Sequence, residues 1–147
     1  MMRLSTKGDY GVRALIDLAL YGGDGPVQRT EIARREQIPE SYLDHLLAQL
    51  RRDGFVRSTR GPGGGHELAR PAKEMCLLHV LESLEGSLAP LACLEDDPES
   101  DDGICGQQWV WRDIYDDMRA KLESVSIADL AEREQERLRN RALNYSI

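Results

Sequence analysis

The sequence predicts a mainly α fold: a winged helix-turn-helix with a small β-hairpin wing and a long dimerisation helix. Three observations carry that expectation. Two short amphipathic segments joined by a tight connection occupy residues 30–52. The run Arg57-Ser58-Thr59-Arg60-Gly61-Pro62-Gly63-Gly64-Gly65-His66-Glu67-Leu68-Ala69-Arg70-Pro71 follows directly and reads as a basic, glycine-dense hairpin. Farther on, Trp111, Tyr115, Met118, Leu122 and Val125 repeat by four and three, the spacing of a coiled-coil seam. Helix, short turn, helix and basic hairpin in that order point to DNA binding.

Taken in order, the first helix is expected over residues 5–21, with Val12, Leu15, Ile16, Ala19 and Leu20 on one face and Gly22-Gly23 ending it. Thr30 stands as a capping residue before Glu31-Ile32-Ala33, and Ile38-Pro39 interrupts the pattern. The next helix begins at Pro39 or Glu40, where Leu43, Leu46, Leu47 and Leu50 form one buried stripe. Its other face shows Ser41, Asp44, His45 and Ala48, with Arg51 and Arg52 at the end. Short polar groups near a helix N-terminus suit base edges and phosphates, and the leucine stripe fixes the docking angle.

The wing is read as two extended runs, residues 55–59 and 66–69, with Arg60 opening the turn into a minor groove. A phosphate-cradling nucleotide loop is the rival reading of these glycines. It fails because they run into His66-Glu67-Leu68 and Pro71 rather than into Gly-Lys-Ser/Thr and a helix. A helix over residues 72–85 follows, striped by Leu77, Val80, Leu81 and Leu84, with Cys76 as a small buried hydrophobe. Residues 86–105 lack periodicity and read as a sensor loop, because so long a loop in a compact domain is usually functional or disordered. After the long helix, Ser126-Ile127-Ala128-Asp129 restarts a short helix, and residues 132–141 form a solvated, highly charged helical tail. The expected organisation is a DNA-binding domain over 1–85, the loop over 86–105, and the dimerisation helix with its tail over 106–147.

Composition sets the limits. A chain of 147 residues buries a core without needing a second domain. No apolar run approaches transmembrane length and the N-terminus is too charged for an export signal, so a cytoplasmic location with reduced or metal-bound cysteines is expected. The net charge of -7 hides a division. Residues 1–71 hold 11 Lys plus Arg against 9 Asp plus Glu, and the remainder holds 8 against 17. The acidity lies outside the half that would meet phosphate. Three scattered histidines form no acid-base or nucleophilic constellation, which argues against an enzyme.

Met2-Arg3-Leu4-Ser5-Thr6-Lys7-Gly8 with Tyr10, Ile38 with Ser41-Tyr42-Leu43, Arg60-Gly61-Pro62-Gly63-Gly64-Gly65 and Trp111-Arg112-Asp113 together resemble the Rrf-two family of bacterial transcriptional regulators, IscR-like members above all. The resemblance spans nearly the whole chain. It implies a homodimer that reads a pseudo-palindromic operator in double-stranded DNA, with no role at a membrane. Thr30, Glu40, Ser41, Tyr42, Asp44, His45, Arg60, Gly61, Pro62, Gly63 and Gly64 are the DNA-contacting candidates, and the Trp111 to Val125 seam is the candidate dimer interface. Packing of the seam against the chain's own core is the alternative.

The resemblance also implies an iron-sulfur cluster, 2Fe-2S before 4Fe-4S, in the loop. Family members with a cluster carry three spaced cysteines there. Cys93 and Cys105 fill the first and third positions, but Glu99 stands in the middle and Gln108 replaces a histidine ligand. Asp9 falls where some members place a carboxylate ligand from the partner subunit. Cys93, Cys105 and that Asp9 are the metal-ligand candidates, with the fourth ligand open. The competing expectation is a cluster-free regulator of the same fold, switched by a protein partner, a small metabolite or thiol oxidation.

Overall fold

The structure, a computed structural model, describes residues 3–96 and 106–146. It is the expected mainly α winged helix-turn-helix. The elements are α1 (Thr6–Tyr21), α2 (Arg29–Glu36), α3 (Glu40–Arg52), β1 (Val56–Thr59), β2 (Gly65–Leu68), α4 (Leu77–Glu85), α5 (Cys93–Asp96), α6 (Gln108–Glu123) and α7 (Ile127–Tyr145).

Helix α1 is the hub, with α2, α3, α4 and α7 all packed against it. Ser5 caps it by accepting from the Gly8 amide at 3.4 Å. Glu85, at the end of α4, adds a carboxylate that accepts from the Ser5 amide at 3.0 Å and the Gly8 amide at 3.1 Å, where the positive end of the α1 dipole favours an anion. Gly8 and Gly11 permit this approach, since a Cβ at either would collide with Glu85 or Leu84. Ala14, Leu15 and Leu18 of α1 meet Ile32 of α2, all four leucines of the α3 stripe, and Val80 and Leu84 of α4 in one core. Inside it, Asp17 is fully buried and receives both arms of the Arg35 guanidinium at 2.8 and 2.9 Å. A buried carboxylate is tolerated when paired in this bidentate way.

The wing strands pair antiparallel, with Val56 opposite Leu68 and Thr59 opposite Gly65. Val27 joins as a third rung, exchanging two 2.8 Å backbone hydrogen bonds with His66. Gly65 sits at φ 151 against the Val27 carbonyl, a close approach that leaves no room for a side chain.

Three expectations need correction. Thr30 does not cap α2: Gln28 occupies the cap position and Thr30 lies in the first turn. The helix expected over 72–85 is split into a 3-10 turn at Ala72–Glu74, an extended Met75 and Cys76, and α4. The break has a cause in the far end of the chain, because Leu77 donates to the Val125 carbonyl at 2.8 Å and Ile127 donates to Met75 at 2.9 Å. Leu78 takes the buried place expected of Leu77. Finally, the short helix and solvated tail are one 19-residue helix, α7, opened by a capping box of Ser126 and Asp129. Ile127 and Ala131 bury its first turns.

Helix α6 buries no apolar residue fully among the described residues. Trp111, Tyr115, Met118, Leu122 and Val125 are all half-buried. The helix rests on α4, where Arg119 pairs with Glu82 at 2.6 Å. Trp109 remains 67% exposed and Ile114 40%.

Candidate nucleic-acid interface

The four buried leucines of α3 leave Ser41, Asp44 and His45 exposed on the opposite face, as the i, i+3, i+4 spacing requires. Glu40 is exposed at the start of the helix. Tyr42 is turned partly inward: it is half-buried and meets the edge of Tyr10 at 5.9 Å, so it braces α3 on α1.

The N-terminus of α2, the exposed side of α3 and the wing tip converge. Gln28, Arg29, Thr30, Asp44, Thr59, Gly61, Gly64, Gly65 and His66 line one shallow cleft of about 340 Å³. Thr30, Asp44, Gly61 and Gly64 were expected from the sequence to act in one interface, and here they share one surface. Arg29 was not expected. Its guanidinium donates to Asp44 at 2.6 Å and stands 3.4 Å from Glu40, so it clamps two acidic candidates at once. The Asp44 hydrogen bond and charge raise the Arg29 pKa above its ordinary value. The only sequence signal was an arginine one position before Thr30; its partner lies across the helix-turn-helix angle.

At the wing tip Arg60, Gly61, Pro62 and Gly63 are exposed. Gly61 and Gly63 adopt φ 100 and φ 114, and the Gly64 amide closes the turn on the Gly61 carbonyl at 3.0 Å. Arg60 makes no ion pair among the described residues, which leaves its charge available to a phosphate or a narrow groove. Beneath the tip, His66 Nδ1 lies 2.8 Å from the Ser58 hydroxyl. Burial lowers the His66 pKa and outweighs the attraction of Asp44. This half-buried histidine braces the wing while its edge lines the cleft.

The sensor candidates are placed less completely. Cys93 is an exposed free thiol at the start of α5. Asp9 is exposed and paired with Arg13 at 3.4 Å. Gln108 is 5% exposed and has interaction partners. Cys105 and Glu99 lie outside the described residues. Among the described residues, no three His, Cys, Asp or Glu side chains come together as a metal site. Cys76 is not the buried hydrophobe expected; it is half-buried, with its sulfur 3.4 Å from the Glu123 carbonyl at the end of α6. Among the described residues no helix is long and apolar enough to cross a membrane.

The profile of the Rrf2 family, described as iron-dependent transcriptional regulators, matches residues 4–133. The HTH-type transcriptional regulator IscR of Photorhabdus laumondii is 35% identical over 134 residues, covering 91% of this chain and 82% of that protein. Among solved structures, CymR, the global cysteine regulator of B. subtilis, superimposes with a TM-score of 0.77 at 34% identity, covering 90% of this chain and 98% of its own. IscR of T. potens superimposes with a TM-score of 0.75 at 35% identity, covering 91% and 89%. These relatives carry the names of regulators, not of enzymes.

Proposed function

Because the chain belongs to the Rrf2 (Rrf-two) family of transcriptional regulators, we propose that it binds a pseudo-palindromic operator as a homodimer, with α3 in the major groove and the wing over the adjacent minor groove. The observation that carries this reading is the convergence of Arg29, Thr30, Asp44 and the wing glycines on one surface. Ser41 and His45 are free to meet base edges or phosphate, and Arg60 reaches the minor groove. Asp44 accepts a hydrogen bond from a cytosine amino group, with Arg29 offsetting the repulsion between its carboxylate and the backbone phosphates. Arg60→Ala is expected to weaken binding to a selected duplex by about 1 to 3 kcal/mol in a salt-matched titration. Unchanged affinity removes the wing from this account.

The dimer is assigned to α6, whose seam is half-covered by its own chain and whose Trp109 and Ile114 stand exposed. For the signal, the iron-dependent description of the family and the IscR relatives support a 2Fe-2S cluster held by Cys93 and Cys105 of one protomer and Asp9 of the partner subunit. A cluster-free switch is the second reading. It is supported by Glu99 standing where a third thiolate is needed, by the Asp9–Arg13 pair and by the likeness to CymR. Anaerobic purification followed by an absorption spectrum separates the two: charge-transfer bands at roughly 320 to 460 nm, lost in Cys93→Ala and Cys105→Ala but kept in Cys76→Ala, establish the cluster. A featureless spectrum after reconstitution rules against the cluster and favours the second reading.

A further inference from the structure

A cleft of about 510 Å³ lies between α1, the end of α2 and the middle of α7, on residues that the DNA-binding reading does not use. Its volume falls within the range of small-molecule sites. Its floor is apolar: Ile16 and Leu20 come from α1 and the half-buried Leu138 from α7. Its walls carry four guanidinium groups, from Arg13, Arg35, Arg137 and Arg141, against the two carboxyl groups of Glu36 and Glu134.

The cations differ in how far they are already committed. Arg35 is bound to buried Asp17, and Arg137 holds Glu134 at 2.7 and 2.9 Å. Arg13 stands 3.6 Å from the Glu36 carboxyl group and also donates to the Glu36 backbone carbonyl. Arg141 makes no ion pair among the described residues, and its charge lies 5.9 Å from the Tyr145 ring. Arg137 and Arg141 stand one turn apart on the α7 face that presents Leu138 to the cleft. Like charges at this spacing destabilise a helix. Glu134 already offsets part of that repulsion by pairing with Arg137, which leaves Arg141 as the uncommitted cation for an anion, and Leu138, Ile16 and Leu20 offer its body an apolar surface. Burial, assisted by nearby Asp17, raises the Glu36 pKa, and the Arg13 charge opposes that rise.

We infer that this cleft binds a small organic carboxylate with an apolar body, its carboxylate between Arg137 and Arg141 and its body against Ile16, Leu20 and Leu138. The position is consequential, because Glu36 and Gln37 also line the cleft and together form the end of α2 and the turn into α3. Gln37 is the one non-glycine residue at positive φ among the described residues, at φ 55. An occupant of this cleft therefore touches the turn that sets the α3 angle.

The test is isothermal titration of the full chain, without DNA, against 3-phenylpropionate, indole-3-acetate and octanoate. Controls are the neutral 3-phenylpropanamide and inorganic phosphate. At least one carboxylate is expected to bind saturably at one per chain. The amide, inorganic phosphate and the Arg137→Gln, Arg141→Gln double variant are each expected to give binding weaker by about tenfold or more, the worth of a charge-assisted contact. Both substituted residues are exposed, and a circular dichroism spectrum and melting curve matching the parent show that the variant is folded. No saturable binding by any of the three carboxylates overturns the inference. So does equal binding by the amide, by phosphate or by the double variant. Because no DNA is present, the result stands apart from the operator-binding reading.

Discussion

The helix-turn-helix half and the α6 region are built on opposite principles. In α3 four leucines vanish into a core shared with α1, α2 and α4, so the exposed face has its direction fixed by burial on the other side. Helix α6 packs mainly on α4 and keeps Trp111, Tyr115, Met118 and Leu122 half-covered, with a cavity of about 460 Å³ beside Met118 and Leu122. A reader of DNA needs side chains held at fixed angles, which a saturated core provides. A helix with apolar surface left over has area to offer a second subunit. One region buries its hydrophobic residues in the core, whereas the other leaves some only half-covered.

The widest expected separation comes from substituting the two stripes. Leu46→Ala is expected to cost about 2 to 5 kcal/mol in chemical denaturation, because the side chain is 1% exposed and its neighbours collapse only partly into the space. Met118→Glu with Leu122→Lys is expected to leave the helix-turn-helix folded while sedimentation velocity shows monomers. Operator binding then falls far more than loss of any single base contact explains, since the second half-site no longer contributes. A double variant that still sediments as a dimer assigns the seam to the chain's own core and erases the contrast.

The two regions also differed in how far the sequence disclosed them. Helix α3 and the wing were legible because one-sided burial leaves a period of 3.6 and a tight turn demands glycine, whereas the face of α1 was misjudged: Ala14, Leu15, Asp17 and Leu18 are buried, and the expected Val12, Ile16, Ala19 and Leu20 are only half-buried. The Arg29 clamp was not legible, since nothing near residue 29 marks Asp44 as its partner. Nor was the break at Met75 and Cys76, which depends on backbone partners about fifty positions away. Residues 132–141 are the solvated helix expected, and what the sequence left unjoined was its continuity with the segment opened by Ser126 and Asp129, which the stripe of Ile127, Leu130, Ala131 and Leu138 carries.

Since α7 couples the far end of the chain to α1, its cap sharpens the comparison at a smaller scale. Ser126→Ala is expected to lower stability by about 1 kcal/mol, seen as a reduced melting temperature, because the Asp129 amide loses its acceptor. An unchanged melting temperature detaches α7 from the stability of the DNA-binding half.

The smallest effect concerns pH. The His66 pKa lies below its ordinary value of 6.5, mainly through burial, so the native wing binds a proton less readily than the unfolded chain. Its contribution to stability is full above pH 6.5 and is lost as pH falls through the lowered native value. Melting curves between pH 7 and 5 are expected to fall more steeply for the parent than for His66→Phe. Parallel curves place the acid sensitivity elsewhere.

The central claim, a dimer that reads DNA with α3 and the wing, meets its most direct test in selection of duplexes from a randomised library by the purified full chain. The account predicts enrichment of an inverted repeat whose half-sites are centred about one helical turn, or a multiple of it, apart. Enrichment of a single unrepeated half-site, or of no sequence at all, contradicts it.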